Sequence, residues 1–179
     1  MANTLMMKKY SYLLLVLLFI SCGSYNSINN FYNLHKNDAN VTAIHVPQYM
    51  LSLLRGTSGD MNNFLSNVKE IRFIQLQPAT ENERTSISAQ IDGLVSNNFV
   101  EVFRKNEDEN RTLISLREKR DVVKEIIIFK NNSKNNSIFY LNGNFNPVKV
   151  REYVKSNELD NLSNSILQLN NINRVSSEK

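Results

Sequence analysis

The chain has 179 residues, with 21 Lys and Arg against 17 Asp and Glu and a formal net charge of +4. This length suits one domain with a real core. One cysteine excludes an intrachain disulfide framework and a thiolate metal cluster. The basic residues are scattered among acidic ones, whereas a nucleic-acid-binding domain gathers them into a stripe. We therefore expect no nucleic-acid partner.

The N-terminus carries a short apolar run with characteristic flanks. Lys8 and Lys9 precede eight apolar residues at 13–20, which Ser21 and Cys22 follow. A basic region, a short apolar region and a small residue before the cut form a secretory signal peptide. The run is far shorter than the ~20 residues that cross a bilayer. Residues 1–21 are therefore predicted to be a signal peptide, although a buried core element is the alternative.

The position of Cys22 resembles a bacterial lipobox, in which the chain is cut between Ser21 and Cys22 and the sulfur is acylated. Phe19 departs from the usual Leu three residues before the cysteine. The resemblance predicts lipidation at Cys22 and a lipid bilayer as partner, and an ordinary cleaved signal peptide is the alternative. No acidic cluster follows Cys22, which favours an outer-membrane anchor with the domain facing the periplasm.

Residues 22–40 are rich in Asn, Ser and Tyr and show no sustained periodicity. This composition predicts a flexible tether between membrane and domain. His35 falls within it and is expected to be solvated.

The first part of the domain alternates strand and helix signals. β-branched residues predict strands, and apolar residues at steps of three and four predict helices. Pro47 suits the first turn of a helix, and Ser58 or Asp60 can cap the next one. The predicted elements are a strand at Val41–Val46, helices at Gln48–Arg55 and from Asp60 to Val68, and a strand at Ile71–Leu76.

A capping box opens the next helix. Thr80 and Glu83 have the required spacing, and Ile87, Ile91 and Leu94 then fall on one helical face. Asn97 and Asn98 are predicted to end this helix.

From Phe99 the apolar period changes from helical to twofold. Polar turns separate four segments, which predicts an antiparallel meander. The segment at Val122–Phe129 is apolar on both sides and is predicted to be the most buried. The four segments are Phe99–Arg104, Thr112–Arg117, Val122–Phe129 and Ile138–Phe145.

Asn146 and Pro147 combine an N-cap with proline in the first turn, so a C-terminal helix is predicted, broken near Asn157. The fold class is thus α+β, a mainly antiparallel sheet with helices packed on one face. A single domain is predicted over residues 41–173, followed by a frayed tail at 174–179.

Several stretches recur together in a known family: TAIHVPQYMLSLLRG, KEIRFIQLQ, the meander with an acidic first turn, and LNGNFNPVKV. With the lipobox, they resemble the bacterial lipoprotein family known as domain of unknown function 4252, found largely in Bacteroidota. The resemblance covers about residues 31–160. It implies an envelope lipoprotein, and it carries no activity or functional residues.

Candidate chemical groups are few. His45 is expected to be an ordinary sheet histidine. Glu107–Glu109 offers oxygen ligands of the kind that calcium prefers, but without the spacing of a calcium loop, so a solvated hairpin tip is expected. Hydrolysis by Glu101, Glu118 or Glu125 would need two of these carboxylates to act as a pair, and the sequence does not indicate which would meet.

No catalytic, cofactor or metal site is therefore predicted. The leading hypothesis is a non-enzymatic envelope lipoprotein that binds a protein or takes part in envelope sensing. The alternative is a periplasmic module that binds a lipid or another small apolar ligand.

Overall fold

The computed structural model describes residues 27–46, 51, 59–96, 98–108, 110–132 and 134–166. The predicted signal peptide, Cys22 and the C-terminal tail lie outside these residues. The helix predicted at Gln48–Arg55 also lies outside them, except for Leu51, which is helical and buried.

Helices and strands alternate in the first half, and the meander fills the second. The helices are α1 (Ile28–His35), α2 (Gly59–Ser66), α3 (Glu81–Ser96), α4 (Pro147–Lys155) and α5 (158–166). The strands are β1 (Val41–Val46), β2 (Val68–Leu76), β3 (Val100–Glu107), β4 (Asn110–Lys119), β5 (Val122–Asn131) and β6 (Asn136–Phe145).

All six strands form one antiparallel sheet in the order β1-β2-β6-β5-β4-β3. The predicted α+β class and the meander from β3 to β6 are therefore confirmed. Val68, predicted at the end of the second helix, begins β2 instead.

The sheet is covered by helices on both faces, so the prediction of helices on one face is wrong. Ile126 and Ile128 pack in a cluster with side chains of α2, α4 and α5. Ile127 and Phe129 pack in a second cluster with α1 and α3. Successive side chains of a strand point to opposite faces. Four consecutive buried apolar residues in β5 therefore require cover on both.

Helix α1 lies within the segment predicted as a tether, and that prediction is wrong over residues 28–35. The Ser27 side chain caps the helix by accepting a hydrogen bond from the Asn30 N–H. Ile28, Phe31 and Tyr32 are buried against the sheet and α3. Their spacing of three and four residues is that of an amphipathic helix, which the intervening asparagines obscure.

Three predicted helix boundaries are confirmed: the start of α3, the start of α4 and the break after α4. Thr80 Oγ1 accepts from the Glu83 N–H at 3.2 Å, while Glu83 Oε2 accepts from the N–H of Ala79 at 2.8 Å. Asn146 Oδ1 caps α4. Asn157 has a left-handed φ of 60° at the predicted break between α4 and α5.

Candidate functional site

A row of polar side chains crosses four strands at one end of the sheet, on the face that α1 and α3 cover. Register pairs Glu70 of β2 with Asn142 of β6, Asn142 with Glu125 of β5, and Glu125 with Arg117 of β4. We call these four residues, together with Arg72 and Tyr140 one step further along the same face, the polar band.

Glu125 is the most deeply buried charged residue of the band, with an exposed fraction of 8%. The Arg117 guanidinium donates to its carboxylate and lies 5.4 Å from the centre of the Phe99 ring. Burying a carboxylate is costly unless a partner neutralises it. This pair borders an opening of about 80 Å³, which Tyr140 and the first residues of α1 also line.

The second ion pair of the band joins Arg72 to Glu70 within β2. Its guanidinium carbon lies 5.2 Å from the centre of the Tyr32 ring of α1. His45 Nε2 of the edge strand β1 lies 3.5 Å from Glu70 Oε1. The imidazole of His45 is half exposed at the edge of the sheet, in the strand where it was predicted.

Two tyrosines complete the environment of the band. The Asn142 side-chain amide donates to Tyr140 Oη at 3.2 Å. Burial raises the pKa of Tyr140 and also that of Tyr32. Both phenols are therefore neutral around pH 7, and the two ion pairs of the band lie beside two protonated hydroxyls, that of Tyr140 within the band and that of Tyr32 on α1.

His35 occupies a separate polar site, and the prediction that it is solvated is wrong. The residue is buried against Phe31, with the ring centres 4.6 Å apart. Its Nδ1 lies 2.7 Å from Asp38 Oδ2, and its Nε2 lies 2.9 Å from Gln90 Oε1 of α3. These contacts join the end of α1 to α3 and line a cavity of about 220 Å³.

The structure does not bring the two histidines together, because His45 contacts Glu70 whereas His35 contacts Asp38 and Gln90. Within the described part of the chain, no group of three or more His, Cys, Asp and Glu residues could hold a metal ion.

The three carboxylates considered for hydrolysis have different partners. Each has its own arginine, and the pairs are Glu101 with Arg104, Glu118 with Arg151 at 3.1 Å, and Glu125 with Arg117. The hydrogen bond from Arg104 lowers the pKa of Glu101. The structure therefore places the three candidates in three different ion pairs.

The acidic turn is an exposed hairpin tip where it is described. Glu107 ends β3 and lies 2.9 Å from Lys105 Nζ, and Asp108 follows with a left-handed φ of 47°. Glu109 lies outside the described residues. A cavity of about 290 Å³ opens beside the tip and is bordered by Lys105, Glu107 and Asp160.

Sequence reasoning missed the polar band, apart from Glu125. One signal was available, because polar residues stand at alternate positions among apolar ones in two strands, at Glu70 and Arg72 and at Tyr140 and Asn142. The pairing of β2 with β6 brings them side by side, and this pairing joins strands that are far apart in the chain.

A family model described as "Domain of unknown function (DUF4252)" matches residues 32–153. The chain belongs to this family. The DUF4252 match runs from the middle of α1 to α4 and includes the whole polar band. No curated protein and no solved structure matches the chain. Among the described residues of this DUF4252 protein, no helix combines the length and apolarity needed to span a membrane.

Proposed function

We propose that this DUF4252 protein is a lipid-anchored domain of the bacterial envelope that acts without catalysis, by binding a protein partner or by envelope sensing. The observation that carries the proposal is the sequence from Lys8 to Cys22. It combines a basic region, eight apolar residues and a cysteine directly after a small residue. Acylation of Cys22 would anchor the domain to a bilayer, and two or more acyl chains make such an anchor stable.

The position of α1 supports a close attachment. Its N-cap, Ser27, follows Cys22 by five residues. Five residues span at most about 18 Å when fully extended. An acylated Cys22 would therefore hold the folded domain next to the membrane surface, with little freedom to reach distant partners.

The ion pairs support a binding role over a catalytic one. A general acid or base must lie within hydrogen-bond reach of the reacting proton, and a carboxylate that already accepts from an arginine is less available for that contact. Glu101, Glu118 and Glu125 each pair with an arginine. Such pairs suit a stable framework that presents a surface.

Lipid anchoring is tested with the full-length protein in its bacterial host. Cells are fed an alkyne fatty acid, and the purified protein is analysed by intact mass and membrane fractionation. The proposal expects an acylated chain that begins at Cys22 and sediments with membranes. A Cys22→Ser variant is expected to lose the label and to accumulate uncleaved.

The matched control is Ser24→Ala, two residues after Cys22, which is expected to keep both the label and the cleavage. A bare sulfur in the wild-type protein would overturn the proposal. So would a Cys22→Ser variant that is cut normally and held in the envelope as firmly as wild type.

A further inference from the structure

One end of the domain carries an excess of basic side chains. Register places the start of β2, the end of β4, the start of β5 and the end of β6 at this end of the sheet. An ion pair from Arg151 to Glu118 ties α4 to it. Outside the polar band, the start of β2, the end of β4, the β4–β5 turn, the start of β5 and the residues of α4 up to Glu152 include three acids, Glu118, Asp121 and Glu152, against six bases. These bases, which we call the basic end, are Lys69, Lys119, Arg120, Lys124, Lys149 and Arg151.

The turn at the tip of the basic end contains a residue type that rarely adopts the backbone conformation found there. Arg120 and Asp121 connect β4 to β5 with left-handed φ angles of 52° and 59°. Glycine, asparagine and aspartate adopt this conformation most easily. Among the described non-glycine residues with positive φ, all are Asn or Asp except Arg120. The others are Asn40, Asn98, Asp108, Asp121 and Asn157.

A residue that is costly for its backbone conformation motivates the hypothesis that its side chain serves another purpose. Arg120 and the preceding Lys119 are exposed, and within the described part of the chain neither has an ion-pair partner. An asparagine would suit this turn better, so folding alone does not explain the arginine.

The basic end is also the end from which the chain leads to Cys22. Ser27 and Ile28, at the start of α1, line the same opening as Arg117 and Glu125. The five residues from Cys22 to Ser27 span at most about 18 Å. This maximum reach is about twice the Debye length, the distance of roughly 8–10 Å in physiological salt beyond which exposed charges are screened.

We propose that the basic end docks onto anionic lipid headgroups of the membrane that anchors Cys22, with Lys119 and Arg120 contacting phosphates. The inference rests on the proposed lipid anchor. The short connection raises the effective concentration of the bilayer at this end, and basic side chains beside an anionic surface strengthen attachment by a lipid anchor. The orientation leaves the opposite end of the domain, with His35 and the acidic hairpin tip, facing away from the membrane.

The chain contains no tryptophan, so single tryptophans can report contact with lipid without background. Val148, at the start of α4, is 61% exposed at the basic end, and Leu34, near the end of α1, is 50% exposed at the other. Full-length protein with Cys22 shown by mass to be acylated is reconstituted into nanodiscs with brominated acyl chains. The lipid is phosphatidylcholine alone or three parts of it to one part phosphatidylglycerol.

The expected result is quenching of Val148→Trp that grows at least about twofold in the anionic discs and falls in high salt. Leu34→Trp should stay unquenched in both lipids. Adding Arg120→Asn to the Val148→Trp protein should remove most of the difference between the lipids and leave the melting temperature equal or higher. Lys134→Gln, at an exposed position of the β5–β6 turn at the far end, removes the same charge and should have no effect.

Equal quenching at the two reporters would overturn the docking and leave the proposed anchor standing. Quenching of Val148→Trp that does not depend on lipid charge or salt would also overturn the docking but not the anchor. So would quenching that Arg120→Asn leaves unchanged. A bare Cys22 sulfur would overturn the anchor and this inference with it.

Discussion

Arg117 and Glu125 form an ion pair across β4 and β5 in which the carboxylate is buried while the side chain of Arg117 is 40% exposed. The same guanidinium lies over the Phe99 ring at the start of the meander. The pair thus joins two interior strands, β4 and β5, and the residue before β3 at the point where α1 begins.

Arg117→Met should destabilise the domain, because it leaves the buried Glu125 carboxylate without its partner. The expected loss in the free energy of unfolding is about 2 kcal/mol, reduced from a fully buried case since water reaches this site. Urea denaturation of the protein measures it. Adding Glu125→Leu should restore part of the stability.

The matched control is Arg104→Met, which removes an arginine from the exposed pair with Glu101 on the edge strand. Little change in stability is expected there. If both arginine variants melted like wild type, Arg117 would have no special role in holding the sheet.

The sheet was predictable because its strands follow one another. The polar turns of the meander and the twofold apolar period are local signals, and the register they predict joins neighbours in the chain. The pairing of β2 with β6 is not local, and it determines which polar residues meet. Glu70 and Asn142 therefore became recognisable as one site only in the folded chain.

Because helices cover both faces of the sheet, truncating a buried side chain on either face should cost a similar amount of stability. Phe129 packs toward α1 and α3, whereas Phe139 packs toward α2, α4 and α5, and both are almost fully buried. Phe129→Ala and Phe139→Ala should each cost about 3–5 kcal/mol in the free energy of unfolding. Thermal and urea denaturation measure this loss.

Leu34→Ala serves as the exposed control and should have an effect within about 0.5 kcal/mol. A Phe129→Ala variant as stable as this control would contradict the burial of the α1/α3 face.

The two histidines provide a matched test of whether α1 is part of the domain. His35→Ala removes contacts to Asp38 and Gln90, so α1 should be held less tightly and stability should fall by about 1–3 kcal/mol. Hydrogen exchange should become faster in α1 first. His45→Ala changes a half-exposed edge residue and should have little effect. Equal, small effects of the two changes would favour a loosely attached α1.

The tether was mispredicted for a physical reason. Residues 28–35 read INNFYNLH, and four polar or weakly helical positions hide an apolar stripe of Ile28, Phe31 and Tyr32. Helix propensity is low for such a segment. Packing against the sheet and α3 supplies the stability that the local sequence lacks.

Two glycines should respond in opposite directions to the same change. A Cβ at Gly143 would lie 2.3 Å from the Asn67 carbonyl oxygen and 2.6 Å from the Phe145 ring, so Gly143→Ala should destabilise by about 1–3 kcal/mol. A Cβ at Gly93, inside α3, would meet no atom within 4 Å. Gly93→Ala should stabilise by up to about 1 kcal/mol through helix propensity. Urea denaturation compares them, and a stabilising Gly143→Ala would refute the close approach of β6 to Asn67.

The raised pKa of Tyr140 predicts that the domain loses stability at alkaline pH. Because burial raises its pKa in the folded state, an unfolded chain releases this proton first, near the ordinary value of 10.0. Above that pH the unfolded state binds fewer protons than the folded state, so stability falls as pH rises. Tyr140→Phe removes this titration, and the stability of the variant should decline less steeply between neutral pH and about pH 11.

At neutral pH the Tyr140→Phe variant should be less stable by about 1 kcal/mol, since the Asn142 amide loses its hydrogen-bond acceptor. Adding Tyr32→Phe should flatten the alkaline decline further, because burial also raises the pKa of Tyr32. Urea denaturation across this pH range measures the slopes, and identical slopes for wild type and Tyr140→Phe would show that the phenol is not held neutral by burial.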